Sequence, residues 1–542
     1  MTDHPVSTRL AVAVVLVCAV GALFLASPTD GNFWWSDAPR HALNGAFVLD
    51  FVQQWPVDDA RRWAVDYYLK YPALTILFYP PLFYGVEAAV FAVAGVSQAS
   101  AQATVSLFAL VLAVASYGLA RRLLPPWSAL GAALMVVGAP EVTFWARQVM
   151  LDIPAYAMVV SGAYFLVRYL DEARPRLLYG AVLCVLAAAW IKLTAVFIVP
   201  VLAGAVVWRG RWPVLRHRPV WIAAVIGLVG MLPLVWLTLQ FGGANVESVA
   251  GRPTDVSRWN VEAWVFYGRL LPQSLGVAGL VAASLGVVAL GVRARRIPRD
   301  RSVSWILGAW FVVGYLFFSF IGVREPRHGL MLLLPLGIAA AVACQTWLPA
   351  RFAQAGALAL GLVTFASSVV LRAAPEVNGY REVADFVAAT APRGSVVLFH
   401  GVRDGNFVFN MRTHLDRPDL SIVRSDKLLL RVIVGERSRG VQEKGLDEIE
   451  IERLLRDVGV GLVVMQPGFW ADIEQMARFE RVVRTPLFTS VASFAITGNA
   501  PHQDRLIEVL RPTYPVDAAR RPLTIDMPMV KDVFRGAVGP PQ

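Results

Sequence analysis

Between Leu177 and Trp208 the chain runs for about 32 residues with a single charge, Lys192. One straight helix of that length would extend ~48 Å, while a bilayer core of ~30 Å needs about 20 apolar residues. The spacing therefore predicts two short helices, 177–191 and 193–208, with Lys192 at the tip of a hairpin. Further apolar runs lie at 10–26, 101–120, 127–146, 153–169, 219–240, 270–292, 302–323, 329–348 and 352–371. Only 16% of the 542 residues are charged and 56% are hydrophobic, whereas a soluble chain carries about 25% charge. Helices satisfy their own backbone hydrogen bonds, so runs of this kind read as membrane spans. The reading is a mainly α, polytopic domain over 1–371 with about eleven spans. Leu10 to Ala26 is read as a retained first helix, because Ser27-Pro28-Thr29-Asp30 makes a poor cleavage site for a signal peptide.

Charge sets the expected orientation. Arg121 and Arg122, Arg168 to Arg176, Arg209 to Arg218 and Arg293 to Arg301 fall in loops of one parity. The positive-inside rule places those loops in the cytoplasm. The opposite loops, 147–152, Lys192, 241–268 and 324–328, then face outward. Segment 71–96 is apolar but broken by Pro72, Pro80 and Pro81 and carries Glu87, so it is expected to lie in the interface without crossing. That count leaves the N-terminus cytoplasmic, in the inner (plasma) membrane, and places both loop 28–70 and the C-terminal region outside. The net charge of +11 comes from arginines set between apolar runs, which excludes a basic nucleic-acid surface. Cys18, Cys184 and Cys344 lie inside apolar runs and give neither a disulfide framework nor a zinc spacing.

Residues 372–542 differ in composition. Ser395–His400 and Val460–Met465 are strand-like, and helical patterns cover 379–391 and 446–458, so a small α/β extracytoplasmic domain is expected. Gly401-Val402-Arg403-Asp404-Gly405 follows the first strand but is not GxGxxG, and reads as an ordinary strand-to-helix turn. The last 25 or so residues read as an irregular tail.

Chemistry-bearing residues gather in the outward loops. Asp37 follows Trp34 and Trp35 and precedes Arg40; it reads either as a helix cap or as a reactive carboxylate. Tyr67, Tyr68, Lys70 and Tyr71 close the same loop. Arg147 and Asp152 precede Pro154, a residue suited to a first helical turn, so Asp152 is a cap, a site carboxylate, or both. Arg324, Arg327 and His328 run against the positive-inside bias and want an anionic partner. A lipid phosphate fits, since guanidinium grips phosphate through two bonds, and an internal pair with Glu325 is the competing reading. Loop 241–268 holds Asn245, Glu247, Arg252 and Asp255, to which no roles are assigned.

In order and spacing these pieces resemble the glycosyltransferase C superfamily, nearest to bacterial relatives of protein O-mannosyltransferases and lipid A aminoarabinose transferases. The resemblance rests on Asp37 with Arg40, Lys70-Tyr71-Pro72, Arg147 to Pro154, the Lys192 tip, and Arg324-Glu325-Pro326-Arg327-His328. It implies a polyprenyl-phosphate sugar donor, a lipid, glycan or protein acceptor, and inverting displacement. Asp37 would be the general base, Lys70, Arg324, Arg327 and His328 would hold the donor phosphate, and Asp152 would be a second catalytic-face carboxylate. Arg40, Tyr68, Tyr71, Arg147 and Lys192 would line the cavity. Family members often carry Asp-Glu in the first loop, whereas here Ala38 follows Asp37, so no motif supports a divalent metal and no cofactor is assigned. A secondary transporter or flippase is the alternative, which ionisable residues near membrane helices suit although no inverted repeat is evident, and a non-catalytic membrane scaffold is a third reading.

Overall fold

The computed structural model describes residues 6–540 except 77, 211, 244–256, 433–439 and 528–531. Asn245, Glu247, Arg252 and Asp255 lie outside the described residues. The chain forms two compact units. One comprises Met1–Ser27, Leu77–Phe83 and Gln102–Ala374; the other comprises Pro28–Ile76, Tyr84–Ala101 and Pro375–Gln542.

The first unit is helical. Among the described residues nine helices are long and apolar enough to cross a membrane, ten if the bent pair Pro126–Gly138 and Pro140–Ala146 forms one span. That pair turns by 64° at Pro140, whose ring cannot continue the preceding helix. Every one of the eleven apolar runs lies on a helix. The 177–208 stretch divides as its length requires: Pro175–Ile191 ends at Lys192, whose backbone is extended (φ −149°, ψ 119°), and a 3-10 turn leads into Ile198–Gly210. Val261–Arg296 is a 36-residue run interrupted at Gly276, which takes φ 71°, a backbone region that glycine enters without a Cβ clash.

Small residues let these helices meet closely. A Cβ on Gly131 would come 2.2 Å from the Ala357 carbonyl oxygen, and one on Gly286 would come 1.8 Å from that of Ala339. Backbones therefore touch at both crossings, and no larger side chain fits. The apolar helix Leu82–Ala94 has 13 residues, or about 20 Å, too short for a bilayer core.

The second unit is built on a five-stranded sheet. Its strand order is Ser421–Arg424, Val396–His400, Val460–Met465, Leu506–Pro512, Phe488–Ala495. The first three are parallel and the last two run antiparallel. Strands 396–400 and 460–465 are buried at every position, as expected of parallel strands covered on both faces. Helices Tyr380–Thr390 and Glu448–Val458 occupy the two expected places; Asp447 and Glu450 close a capping box on the latter and Gly459 ends it at φ 76°.

The tail departs from expectation. Arg521–Met527 and Asp532–Val538 pair antiparallel, with Leu523, Ile525 and Met527 buried. Tyr68 meets Phe534 edge-on at 5.3 Å, and a Cβ on Gly536 would strike Leu69 at 2.4 Å. The partner that orders this hairpin is a helix in the first loop, Ala60–Lys70, more than 450 residues away in sequence, so local pattern did not reveal it.

Candidate active site

Each unit carries buried clusters of charge. In the helical unit one centres on Asp152. This residue is the first of the helix Asp152–Glu172, and the N-cap position falls on Leu151. The carboxylate instead accepts a hydrogen bond of 2.5 Å from Lys192 Nζ, and both side chains are largely buried. The cap reading therefore fails, because the acid is committed to the hairpin tip. Arg327 and His328 lie within electrostatic range of both Asp152 and Lys192. Arg327 pairs with Glu325 and stands over the Trp145 ring, 5.6 Å from its centroid. The His328 ring stacks on Phe318 at 6.1 Å. Oδ2 of Asp152 is buried and accepts no hydrogen bond among the described residues.

Three helix junctions thus bring Asp152, Lys192, Arg327 and His328 together, with Trp145 and Phe318 as walls. Lys192 is matched by Asp152 and Arg327 by Glu325, so the excess of positive charge in this cluster comes from Arg324. A buried cluster of this kind meets a dianionic group well, since charge-assisted bonds gain strength away from water. Arg324 lies in the same turn and donates from Nε to the Ser319 carbonyl at 3.3 Å. Arg147 has a different occupation: Nε donates to the Thr143 carbonyl at 3.0 Å and Nη1 to the Arg372 carbonyl at 2.8 Å. It ties off the end of the helix Ala350–Val370.

In the second unit, Asp37 sits at the N-cap position of Ala38–Gln54 without a side-chain capping bond, so its carboxylate is not spent on the helix end. Pro39 supplies the rigid first turn. One turn on, Arg40 Nη2 donates to both oxygens of Asp404, at 2.7 and 2.9 Å. Asp404 also accepts from Arg424 Nη1 at 2.7 Å, and Arg424 Nη2 reaches Asp426 at 2.6 Å. Lys427 lies buried beside them, its ammonium pushed down to about 8 chiefly by burial and secondarily by the Arg424 charge. Arg403 and Asp404 follow the carboxyl end of strand 396–400, and Arg424, Ser425 and Asp426 lie at that of its parallel neighbour 421–424. That rim is where open α/β sheets present polar groups.

A second lock lies nearby in the same unit. Arg412 Nη2 reaches both Asp50 oxygens at 2.6 Å and Tyr67 donates to Oδ2 at 2.9 Å. Lys70 Nζ donates to the Pro418 carbonyl at 2.8 Å and stands 5.3 Å from the Tyr71 ring centre. Burial lowers the Lys70 ammonium and pushes the Tyr68 and Tyr71 phenols up to about 12, so both tyrosines stay neutral donors at physiological pH.

Reading the sequence alone did not find Asp404, Arg424, Asp426, Asp50 or Arg412. Asp404 lies in the segment read as an ordinary turn, and a turn it is: Asp404 begins the helix Asp404–Thr413. Its partner, Arg40, is 364 positions away, so no local signal marks the pair. Among the described residues no three His, Cys, Asp or Glu side chains gather closely enough to hold a metal ion.

The protein matches ArnT from Cupriavidus metallidurans bound to undecaprenyl phosphate with a TM-score of 0.63 and 15% identity, covering 93% of this chain and 98% of that one. The chain shares the fold of that protein. The apo form of the same enzyme aligns with a TM-score of 0.61 and 14% identity, over 92% of this chain and 97% of the other. The Archaeoglobus fulgidus oligosaccharyltransferase in its apo form aligns at 0.52 and 12% identity, over 84% of this chain and 69% of that one. Residues 79–236 match the family described as dolichyl-phosphate-mannose-protein mannosyltransferase. No curated protein sequence matches the chain.

Proposed function

We propose that this protein transfers a sugar from a polyprenyl-phosphate donor to an acceptor hydroxyl at the outer face of the inner membrane, with its N-terminus in the cytoplasm. The observation that carries the reading is the buried Asp152–Lys192–Arg327–His328 cluster in a chain whose fold is that of an enzyme bound to undecaprenyl phosphate. A phosphate leaving group develops charge as the glycosidic bond breaks. Lys192, Arg324, Arg327 and His328, with Lys70, stabilise that charge most in the transition state. Asp152 holds Lys192 in place while its second oxygen stays open to a sugar hydroxyl.

Asp37 is the general base. A carboxylate suffices because bond breaking runs ahead of bond making in an oxocarbenium-like transition state, so the acceptor proton is surrendered late. Attack opposite the departing phosphate inverts the anomeric centre. Arg40, held by Asp404, fixes the first turn that presents Asp37. The acceptor is a lipid, glycan or protein hydroxyl.

The decisive assay incubates purified protein with a panel of polyprenyl-phosphate sugars and follows release of the polyprenyl phosphate and the anomeric configuration of the product. Turnover of at least one donor with inversion is expected. Release with retained configuration would remove Asp37 from its role as base to a direct displacement. Failure of every donor, by a folded protein, would refute the donor class.

A further inference from the structure

The helical unit holds a second polar site, remote from Asp152. A recess of about 1320 Å³ opens between the helices Val6–Leu25, Gln98–Ala120 and Asp152–Glu172. That volume exceeds the ~300–1,000 Å³ of a site for a drug-sized ligand. Its lining contains four arginines, Arg9, Arg121, Arg122 and Arg293, against one carboxylate, Asp300. Asp300 is already taken by Arg293, at 2.9 Å from Nε. Arg122 pairs with Asp171, yet its Nε is buried and finds no acceptor among the described residues. Arg121 meets an uncharged acceptor, the Leu124 carbonyl, so among the described residues its charge adds to those that Asp300 and Asp171 already answer.

Its other wall is apolar. Val111 and Val114 line it, and they stay 37% and 52% exposed on a helix whose opposite side is buried. Phe165 and Leu110 extend the same surface. Tyr164, in the lining, stands twelve residues along the helix from Asp152, about 18 Å. The recess is thus a separate site, at the end of the bundle that carries the arginine-rich loops.

An arginine group at one end and an apolar wall at the other match an amphiphile with an anionic head. Basic pockets between membrane helices bind lipid headgroups by this combination. We propose that the recess binds an anionic glycerophospholipid of the leaflet on the arginine-rich face, with its phosphate at Arg9, Arg121 and Arg122 and an acyl chain along Val111 and Val114. This inference is independent of the transfer chemistry.

The test uses the full chain purified in detergent and delipidated, then incubated with phosphatidylglycerol or with phosphatidylcholine of the same acyl chains. Bound lipid is counted by native mass spectrometry, and glycerol 3-phosphate serves as a competitor. Each arginine near a headgroup contributes about fivefold preference for an anion, so Arg121→Gln with Arg122→Gln should cut phosphatidylglycerol retention by roughly 25-fold. Val114→Trp fills the apolar wall and leaves the arginines intact; it should reduce retention with an unchanged unfolding temperature, and it decides the matter if the double variant does not fold. Equal retention of the two lipids overturns the proposal. So does unchanged retention in Val114→Trp, or competition by glycerol 3-phosphate at the lipid's own concentration, which would make the site one for free phosphate.

Discussion

Replacing Arg412 with Leu removes the cation that holds Asp50. In the native protein that carboxylate receives three arginine contacts, two of 2.6 Å and one of 3.2 Å, and one tyrosine hydroxyl. The side chains of Arg412 and Asp50 are 9% and 10% exposed. Water cannot substitute for the lost guanidinium, and Tyr67 supplies a single neutral hydrogen bond. Breaking a buried pair from one side costs about 3–5 kcal/mol, because the stranded charge keeps its full desolvation penalty. In a domain of 150–250 residues each kcal/mol moves the unfolding midpoint by about 2–4 °C, so the variant should melt roughly 6–20 °C lower. The second half of the cycle isolates the cause: Asp50→Leu together with Arg412→Leu leaves no unpaired charge and should recover most of the loss. Thermal unfolding of the full chain in detergent, followed by tryptophan fluorescence, reads both. A single-variant shift below about 2 °C, or a double variant no more stable than the single, would refute the argument that stranded charge is the source of the loss.

Asp37→Asn should slow transfer by about 10²–10⁴-fold, measured on protein whose folding is checked by its unfolding midpoint; full activity would remove it as the base. Arg327→Gln should raise the Kd for a polyprenyl-phosphate donor by about tenfold or more, as a charged hydrogen bond is worth about 1.5–3 kcal/mol, and equilibrium binding of the donor measures it. Lys427 carries a pH signature. Its folded ammonium titrates at about 8 against an ordinary 10.5, so between those values the unfolded chain holds a proton that the folded chain has released. Stability from this group rises with pH across that window, by up to about 1.4 kcal/mol per pH unit, and Lys427→Met should flatten the slope in unfolding measured from pH 7.5 to 10.

The helical half of the fold was legible because each span is a local event: an apolar run of bilayer length, ended by arginine or proline. Lys192 at a hairpin tip followed from length alone. The two interior strands were equally plain, being uniformly apolar and short. What escaped was everything that depends on distant partners. The hairpin at 521–538 alternates weakly, and its buried face is defined by Tyr68 and Leu69. Asp152 looked as much like a cap as a site because Pro154 stands where a capped helix would want it; its partner Lys192 lies forty positions on. Arg40 was read as lining a cavity; its Nη2 is held by both Asp404 oxygens and its Nη1 donates to the Ala73 carbonyl. Arg147 was placed in the same group, and its guanidinium holds backbone carbonyls.

The loop that carries Asp37 leaves the ribosome long before the residues that fasten it. Arg40 waits for Asp404 across 364 positions and Asp50 for Arg412 across 362. At about 5–20 residues per second of synthesis, that interval is roughly 20–70 s. Through it, charges destined for burial must stay hydrated. The first turn that carries Asp37 therefore acquires its final setting only after the last membrane helix has been made, which ties the ordering of this loop to synthesis of the strands and helices that follow residue 400.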